Sequence, residues 1–177
     1  MKRYSVPLNV NQYLCPHSYM YWTNRGNGSE SVAMAGMNGS NPTTIAKSMG
    51  GYPGGITIDF ESSRLFWVDQ KLKTIESTDL DGMDRKTVAN LKMYSTPFGI
   101  DVFGKTLYWS EFHTKKIYKL GKGGKDESKF VSDTGHYVRH IAVYHEAKQK
   151  KDIANHCEGS VCSLCVLAPG TFACKSS

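Results

Sequence analysis

No run of about 18 apolar residues occurs in the 177-residue chain, so nothing in it reads as a membrane-crossing helix. Signatures of chemistry are missing as well. There is no glycine-rich phosphate loop, no Gly-x-Ser-x-Gly elbow and no His-Glu-x-x-His, and no residue pattern calls for a catalytic group, cofactor or metal. The 3.6-residue apolar stripe of an amphipathic helix is also hard to find, which points away from an α-rich fold. Cysteine is scarce until the end: Cys15 stands alone, and the other four fall within the last 21 residues. After Met1-Lys2-Arg3, the stretch Tyr4 to Gln12 is too polar for the apolar core of an export signal.

Charge has one dominant sign, +6 at neutral pH. The lysines gather at Lys115, Lys116, Lys119, Lys122 and Lys125, then at Lys148, Lys150 and Lys151. A basic patch can steer acidic partners or glycans. Alternating with strand positions, however, these lysines read first as a solvated outer face. Nucleic acid is not expected, because no aromatics interleave with them on an open surface.

What the chain does have is a repeat. All three tryptophans sit in one frame: Tyr21-Trp22-Thr23-Asn24, Phe66-Trp67-Val68-Asp69 and Tyr108-Trp109-Ser110-Glu111, spaced 45 and 42 residues apart. Pro53-Gly54-Gly55-Ile56-Thr57-Ile58-Asp59 returns as Pro97-Phe98-Gly99-Ile100-Asp101-Val102-Phe103, and in decayed form as Val138 to Tyr144. Val6 to Asn11 is a weaker, fourth copy. After each Trp follows Met37-Asn38-Gly39, Leu80-Asp81-Gly82 or the glycine-rich Leu120 to Gly124. Each unit reads as four short strands: Ile56-x-Ile58-x-Phe60 and Leu65-x-Trp67 alternate, Lys73 to Leu80 ends at an Asp-Gly turn, and Asp84 to Ala89 completes the set. Four antiparallel strands per 42–45 residues describe one propeller blade. One Trp per unit is expected to fill the space between blades. Asn24, Asp69 and Glu111 are expected to accept neighbouring backbone N–H groups rather than to catalyse.

The three Trp frames resemble the Tyr-Trp-Thr-Asp (YWTD) repeat of low-density-lipoprotein receptor class B modules, with the Gly-Ile-Thr-Ile-Asp and Leu-Asp-Gly elements in the family's places. Glu111 is a methylene longer than the family's aspartate. The resemblance implies an all-β fold: a partial YWTD propeller over 1–150, with three to four of an expected six blades, His136 to Gln149 as its final strand. A small disulfide-rich EGF-like tail is expected over 151–177. Fewer blades than a ring needs, and no export signal, lead us to expect a fragment or isoform of something larger, prone to association by itself.

The tail cysteines run C-x4-C-x2-C-x8-C, which by itself admits a disulfide framework or half of a zinc site, and three pairings of four thiols. Asn155-His156-Cys157 and Cys162 to Gly170 resemble the EGF-like module that follows such propellers, which implies bridges Cys157–Cys165 and Cys162–Cys174. Disulfides imply an oxidising compartment. Asn27-Gly28-Ser29 and Asn38-Gly39-Ser40 are glycosylation acceptors in turn sequences, which agrees with that compartment.

The resemblance further implies a non-enzymatic, extracellular binding module of an endocytic or signalling receptor. Its partners would be lipoprotein-like, secreted signalling or matrix proteins, and its membrane attachment would come only through other parts of the parent chain. Acid-triggered ligand release is a property of such receptors, and histidine is the side chain type that titrates in that window, so one of His136, His140 and His145 is expected to contribute to a pH-sensitive contact. A nidogen-like matrix adhesion propeller is the alternative, and a calcium-dependent propeller hydrolase a remote one.

Overall fold

A computed structural model describes residues 19–26, 28–48, 50–145 and 148 in full, and the backbone of 164–168 and 171–175. Two compact units divide the chain: 21–34 with 43–150, and 1–20 with 35–42 and 151–177. The first holds most of three antiparallel sheets. In chain order these are β1 (Tyr19–Asn24), β2 (Ser31–Gly36) and β3 (Thr43–Lys47); β4 (Pro53–Asp59), β5 (Arg64–Asp69), β6 (Thr74–Asp79) and β7 (Lys86–Asn90); and β8 (Pro97–Phe103), β9 (Thr106–Glu111), β10 (Lys116–Gly121) and β11 (Lys129–Asp133). Strands in each sheet follow chain order, so every connection is a hairpin.

The sequence repeat is a repeat of register. Ile56 pairs with Trp67 and Ile100 with Trp109, each just after an irregularity that opens at Pro53 or Pro97. A second irregularity recurs in all three sheets, between Val32 and Ala33, Ile75 and Glu76, and Ile117 and Tyr118. Bulges at fixed places twist each sheet in the same way, which lets one sheet lie over the next.

Between sheets lies the core. Trp67, fully buried, packs with Val32, Ala46 and Ile45 of the first sheet. Trp109 is buried in a larger cluster with Val68, Ile75, Val88 and Ala89 of the second. Trp22, in the leading frame, is half-buried.

Two glycine positions set how closely sheets approach. A Cβ on Gly55 would lie 2.7 Å from the Phe98 carbonyl, and one on Gly99 would lie 3.0 Å from that of Arg139. The inner strands β4 and β8, and then the segment after β11, therefore run side by side with backbone nearly touching. Residues 134–145 form no strand, so the final strand expected at His136 to Gln149 is not formed over its described part. The physical reason is that an inner strand pairs only within its own sheet, and no such sheet follows among the described residues. At the hairpin turns, Gly82 (φ 84°) and Gly124 (φ 71°) press against the Ile45 and Val88 carbonyls of the preceding outer strand.

In the other unit, Met37 to Ser40 form a turn closed by Gly39 N–H to the Gly36 carbonyl at 2.8 Å. It also contains a hairpin of β12 (Leu164–Ala168) and β13 (Thr171–Lys175), whose register sets Cys165 opposite Cys174. No helix among the described residues is long and apolar enough to cross a membrane.

Candidate functional site

The carboxylate at the end of the second and third Trp frames organises the edge of its sheet. Asp69, fully buried, accepts from Ser48 Oγ at 2.5 Å and from the backbone N–H groups of Tyr52, Lys71 and Leu72 at 2.9–3.0 Å. Glu111 accepts from Ser95 Oγ, from the Thr96 N–H at 2.5 Å and from Trp109 Nε1 at 3.0 Å. Glu111 thus holds the indole as well as the loop. Asn24 accepts from Trp22 Nε1 at 3.0 Å. Trp67 Nε1 is buried without a partner, and the Asp69 oxygens accept from Ser48 and three backbone donors instead. Tyr21, Phe66 and Tyr108 complete the frames. Phe66 is buried, whereas Tyr21 and Tyr108 are half-buried.

Asp69 and Glu111 tether the loop that enters β4 or β8 to the end of the paired strand, whereas Asn24, expected to accept a backbone N–H, instead accepts from its own frame's indole and donates to Ser31 Oγ at 3.1 Å. Antiparallel pairing puts both at one edge: Pro53 faces Asp69, and Pro97 faces Glu111. The residues just outside this tether form a continuous band that belongs to no repeated motif. Arg25 follows Asn24, donates from Nε to the Pro53 carbonyl at 2.7 Å, and lies over the rings of Tyr52 (4.8 Å) and Phe98 (5.2 Å). Phe98 contacts Phe112 at 5.7 Å, and Phe112 stacks on Tyr137 at 4.8 Å. Arg139 lies 5.7 Å over Phe112, and Lys115 lies 4.9 Å over Tyr137. Tyr52 and Tyr137 are 43% and 61% exposed, so the band is a surface rather than a core. Its signal in the sequence was positional: each member sits just after a frame or at the head of an inner strand.

Charge is handled differently on the lower edges. Burial alone would raise the Asp59 carboxyl, but hydrogen bonds from Lys122 (2.7 Å) and Ser62 (2.5 Å) more than offset it and hold the group below the usual range. Lys122 also reaches Glu61 at 3.2 Å, and the two carboxylates raise its own affinity for a proton despite burial. Asp101 is likewise lowered against the pull of burial by Lys148, the Val143 N–H at 2.6 Å and Thr57 at 2.9 Å. Lys122 and Lys148 are therefore internal ties, not members of a free basic patch. Among the described residues, no three His, Cys, Asp or Glu side chains gather where a cation could sit.

The family model of the low-density lipoprotein receptor repeat class B matches residues 18–60 and 63–103. The chain carries low-density lipoprotein receptor class B repeats. It is 36% identical over 151 residues to the vitellogenin receptor Yl of Drosophila melanogaster, covering 84% of this chain and 7% of that protein. With low-density lipoprotein receptor-related protein 5 of Mus musculus the identity is 33% over 150 residues, 83% of this chain and 9% of that one. The class B chain thus spans less than a tenth of these relatives. Among solved structures, a chain of a nidogen/laminin complex superposes with a TM-score of 0.60 at 26% identity, over 68% of this chain and 46% of that chain. The fold is accordingly a partial all-β propeller of the YWTD type, with β1–β3, β4–β7 and β8–β11 as its blades.

His136, His140 and His145 are exposed, and the His145 ring packs on Phe103 at 4.6 Å. Asn38 is exposed in its turn, its side-chain oxygen accepting from the Ser40 N–H at 3.0 Å. Asn27, Cys15, Cys157 and Cys162 lie outside the described residues.

Proposed function

We propose that the chain is a non-enzymatic, extracellular protein-binding module of a low-density-lipoprotein-receptor-related receptor, and that the band from Arg25 to Arg139 is its docking edge. The band is the observation that carries this reading. Exposed Tyr with Arg, next to half-buried Phe, is the composition that dominates binding energy at protein interfaces, where truncating one anchor costs about 2 kcal/mol or more. The relatives that are receptors support the same reading. The test is surface plasmon resonance of the 177-residue chain against vitellogenin and against a laminin fragment. We expect saturable binding that weakens at least about tenfold in Phe112→Ala, the equivalent of about 1.4 kcal/mol, with the melting temperature little changed. Binding indifferent to both Phe112→Ala and Tyr137→Ala would overturn the assignment of the site.

Matrix adhesion is the second reading, favoured by the superposition on a chain of the nidogen/laminin complex. Capture of laminin but not vitellogenin would select it. Acid release is part of the first reading. We assign it to a contact made by one of the exposed His136, His140 and His145 at the end of the repeat region. Replacing all three with Gln should remove the pH dependence of binding.

The tail is read as a piece of an EGF-like module bridged Cys157–Cys165 and Cys162–Cys174, on the cell's exterior. Non-reducing peptide mapping checks the pairing, and a Cys165–Cys174 bridge, which the facing register also brings near, would contradict it. Glycans are expected on Asn27 and Asn38, seen as an enzymatic mobility shift of the secreted chain.

A further inference from the structure

The two seams between successive sheets are built alike and filled differently. In the seam between the first and second sheets, Arg85 lies against Trp67, its guanidinium 5.4 Å from the ring centroid. Arg85 donates there to the Lys47 carbonyl, and from Nε to Glu76 at 3.2 Å. A cation on an aromatic face thus closes this seam, with its charge met by a buried carboxylate. Register identifies the counterparts in the seam between the second and third sheets. Trp109 pairs with Tyr118 as Trp67 pairs with Glu76, and Tyr118 pairs with Phe130 as Glu76 pairs with Thr87. Lys129 therefore stands where Lys86 stands, and Ser128 where Arg85 stands. The second seam has a serine in place of the arginine.

A cavity of about 70 Å³ lies at that position, with Ser128, Trp109, Tyr118, Glu111, Thr114 and Leu91 in its lining. It has room for about two waters or for one planar guanidinium. The Tyr118 ring stacks on Trp109 at 5.7 Å, which makes an aromatic wall. Thr114 Oγ1 is buried without a partner. Glu111 supplies negative charge. Five carboxylates are buried among the described residues, and Asp59, Glu76 and Asp101 each pair with a lysine or arginine. Asp69 and Glu111 pair with no cation among the described residues, and Glu111 opens on the cavity. Lys92 also lines it, but is exposed, with its ammonium 5.9 Å from the Tyr94 ring.

We propose that this cavity binds the guanidinium of an arginine side chain protruding from a partner protein. The group enters against Trp109, as Arg85 lies against Trp67. Its N–H donors meet Glu111 and Thr114 Oγ1, and Tyr118 flanks it where Glu76 flanks Arg85. A planar, weakly hydrated cation suits the aromatic wall better than an ammonium, which cannot stack. A neutral ligand would leave the Glu111 charge unmet. The cavity shares no lining residue with the band from Arg25 to Arg139.

The experiment titrates the full 177-residue chain with a blocked glycyl-arginyl-glycine peptide, and with its citrulline and lysine counterparts, following the indole N–H resonances of the three tryptophans. The expected result is a saturable shift of the Trp109 resonance with the arginine peptide while that of Trp67 stays in place. Binding of either counterpart should be at least about tenfold weaker. Ser128→Arg should fill the cavity from within, abolish the shift and raise the melting temperature by about 2–4 °C. If that variant misfolds, the comparison of the three peptides on the unaltered chain carries the test. A shift that never saturates, as from a cavity that holds water alone, overturns the proposal. So does an equal response to citrulline or lysine, or a response that Ser128→Arg leaves in place.

Discussion

At the scale of single residues, the three tryptophans are equivalent in position and unequal in partners. Trp109 and Trp22 donate to the acceptor two residues on, and Trp67 donates to nothing. Trp67→Phe therefore removes buried area but no hydrogen bond, whereas Trp109→Phe also removes a donor to the buried Glu111. We expect Trp109→Phe to cost about 1 kcal/mol more than Trp67→Phe in urea unfolding. Asp59 gives a second prediction at this scale. Its folded pKa lies below the unfolded 3.8, so its contribution is present above that value and is lost as pH falls through the folded pKa. Lys122, raised above 10.5, contributes below that value and loses its effect only as pH rises through the folded pKa. Asp59→Asn should thus flatten the acid limb of stability below about pH 4 and leave the slope between pH 5 and 7 unchanged. A changed slope in that middle range would contradict the assignment.

At the scale of elements, the repeated glycines separate two reasons for the same residue. Gly82 needs both a positive φ and the room beside the Ile45 carbonyl, where a Cβ would lie at 2.3 Å. Gly104 needs only the φ of 54°, with open space around it. Both substitutions to Ala carry the left-handed penalty of about 1–2 kcal/mol, and only Gly82→Ala adds displacement of the first sheet. Thermal melts should rank Gly82→Ala clearly below Gly104→Ala. Element boundaries were legible because the frame repeats: alternation located β4 to β7, and Asp81-Gly82 located the turn. The segment 136–145 was legible as an inner strand by likeness to 97–103, but strand formation needs a pairing partner that its own pattern does not reveal. The acceptors' place at the sheet edge was legible; their exact donors were not, since Ser48 and Ser95 lie at different distances along the chain from Asp69 and Glu111.

At the scale of the whole molecule, spacing alone specified the stack of sheets, while the aromatic and cationic band proposed for docking stayed hidden. Arg25, Tyr52, Phe98, Phe112, Tyr137 and Arg139 share no motif, and only the hairpin geometry gathers them. The lysines were misleading for the complementary reason. Lys122 and Lys148 look like surface charge in the sequence, yet each crosses to an inner-strand carboxylate. If the band is one surface, Phe112→Ala and Tyr137→Ala should be less than additive in binding free energy, because their rings stack on one another. Additive losses would mean two separate contacts.

The recurrence of one seam between successive sheets has a consequence for deletions. Removing residues 53–96, one period beginning at Pro53 and ending before Pro97, would bring Trp109 onto Val32, Ile45 and Ala46, the surroundings that Trp67 has now. Such an excision is in phase with the architecture, and the shortened chain should keep its sheets. Cutting out half as many residues would strand an indole against a hydrophilic edge, so this molecule should tolerate losing whole bricks better than parts of one.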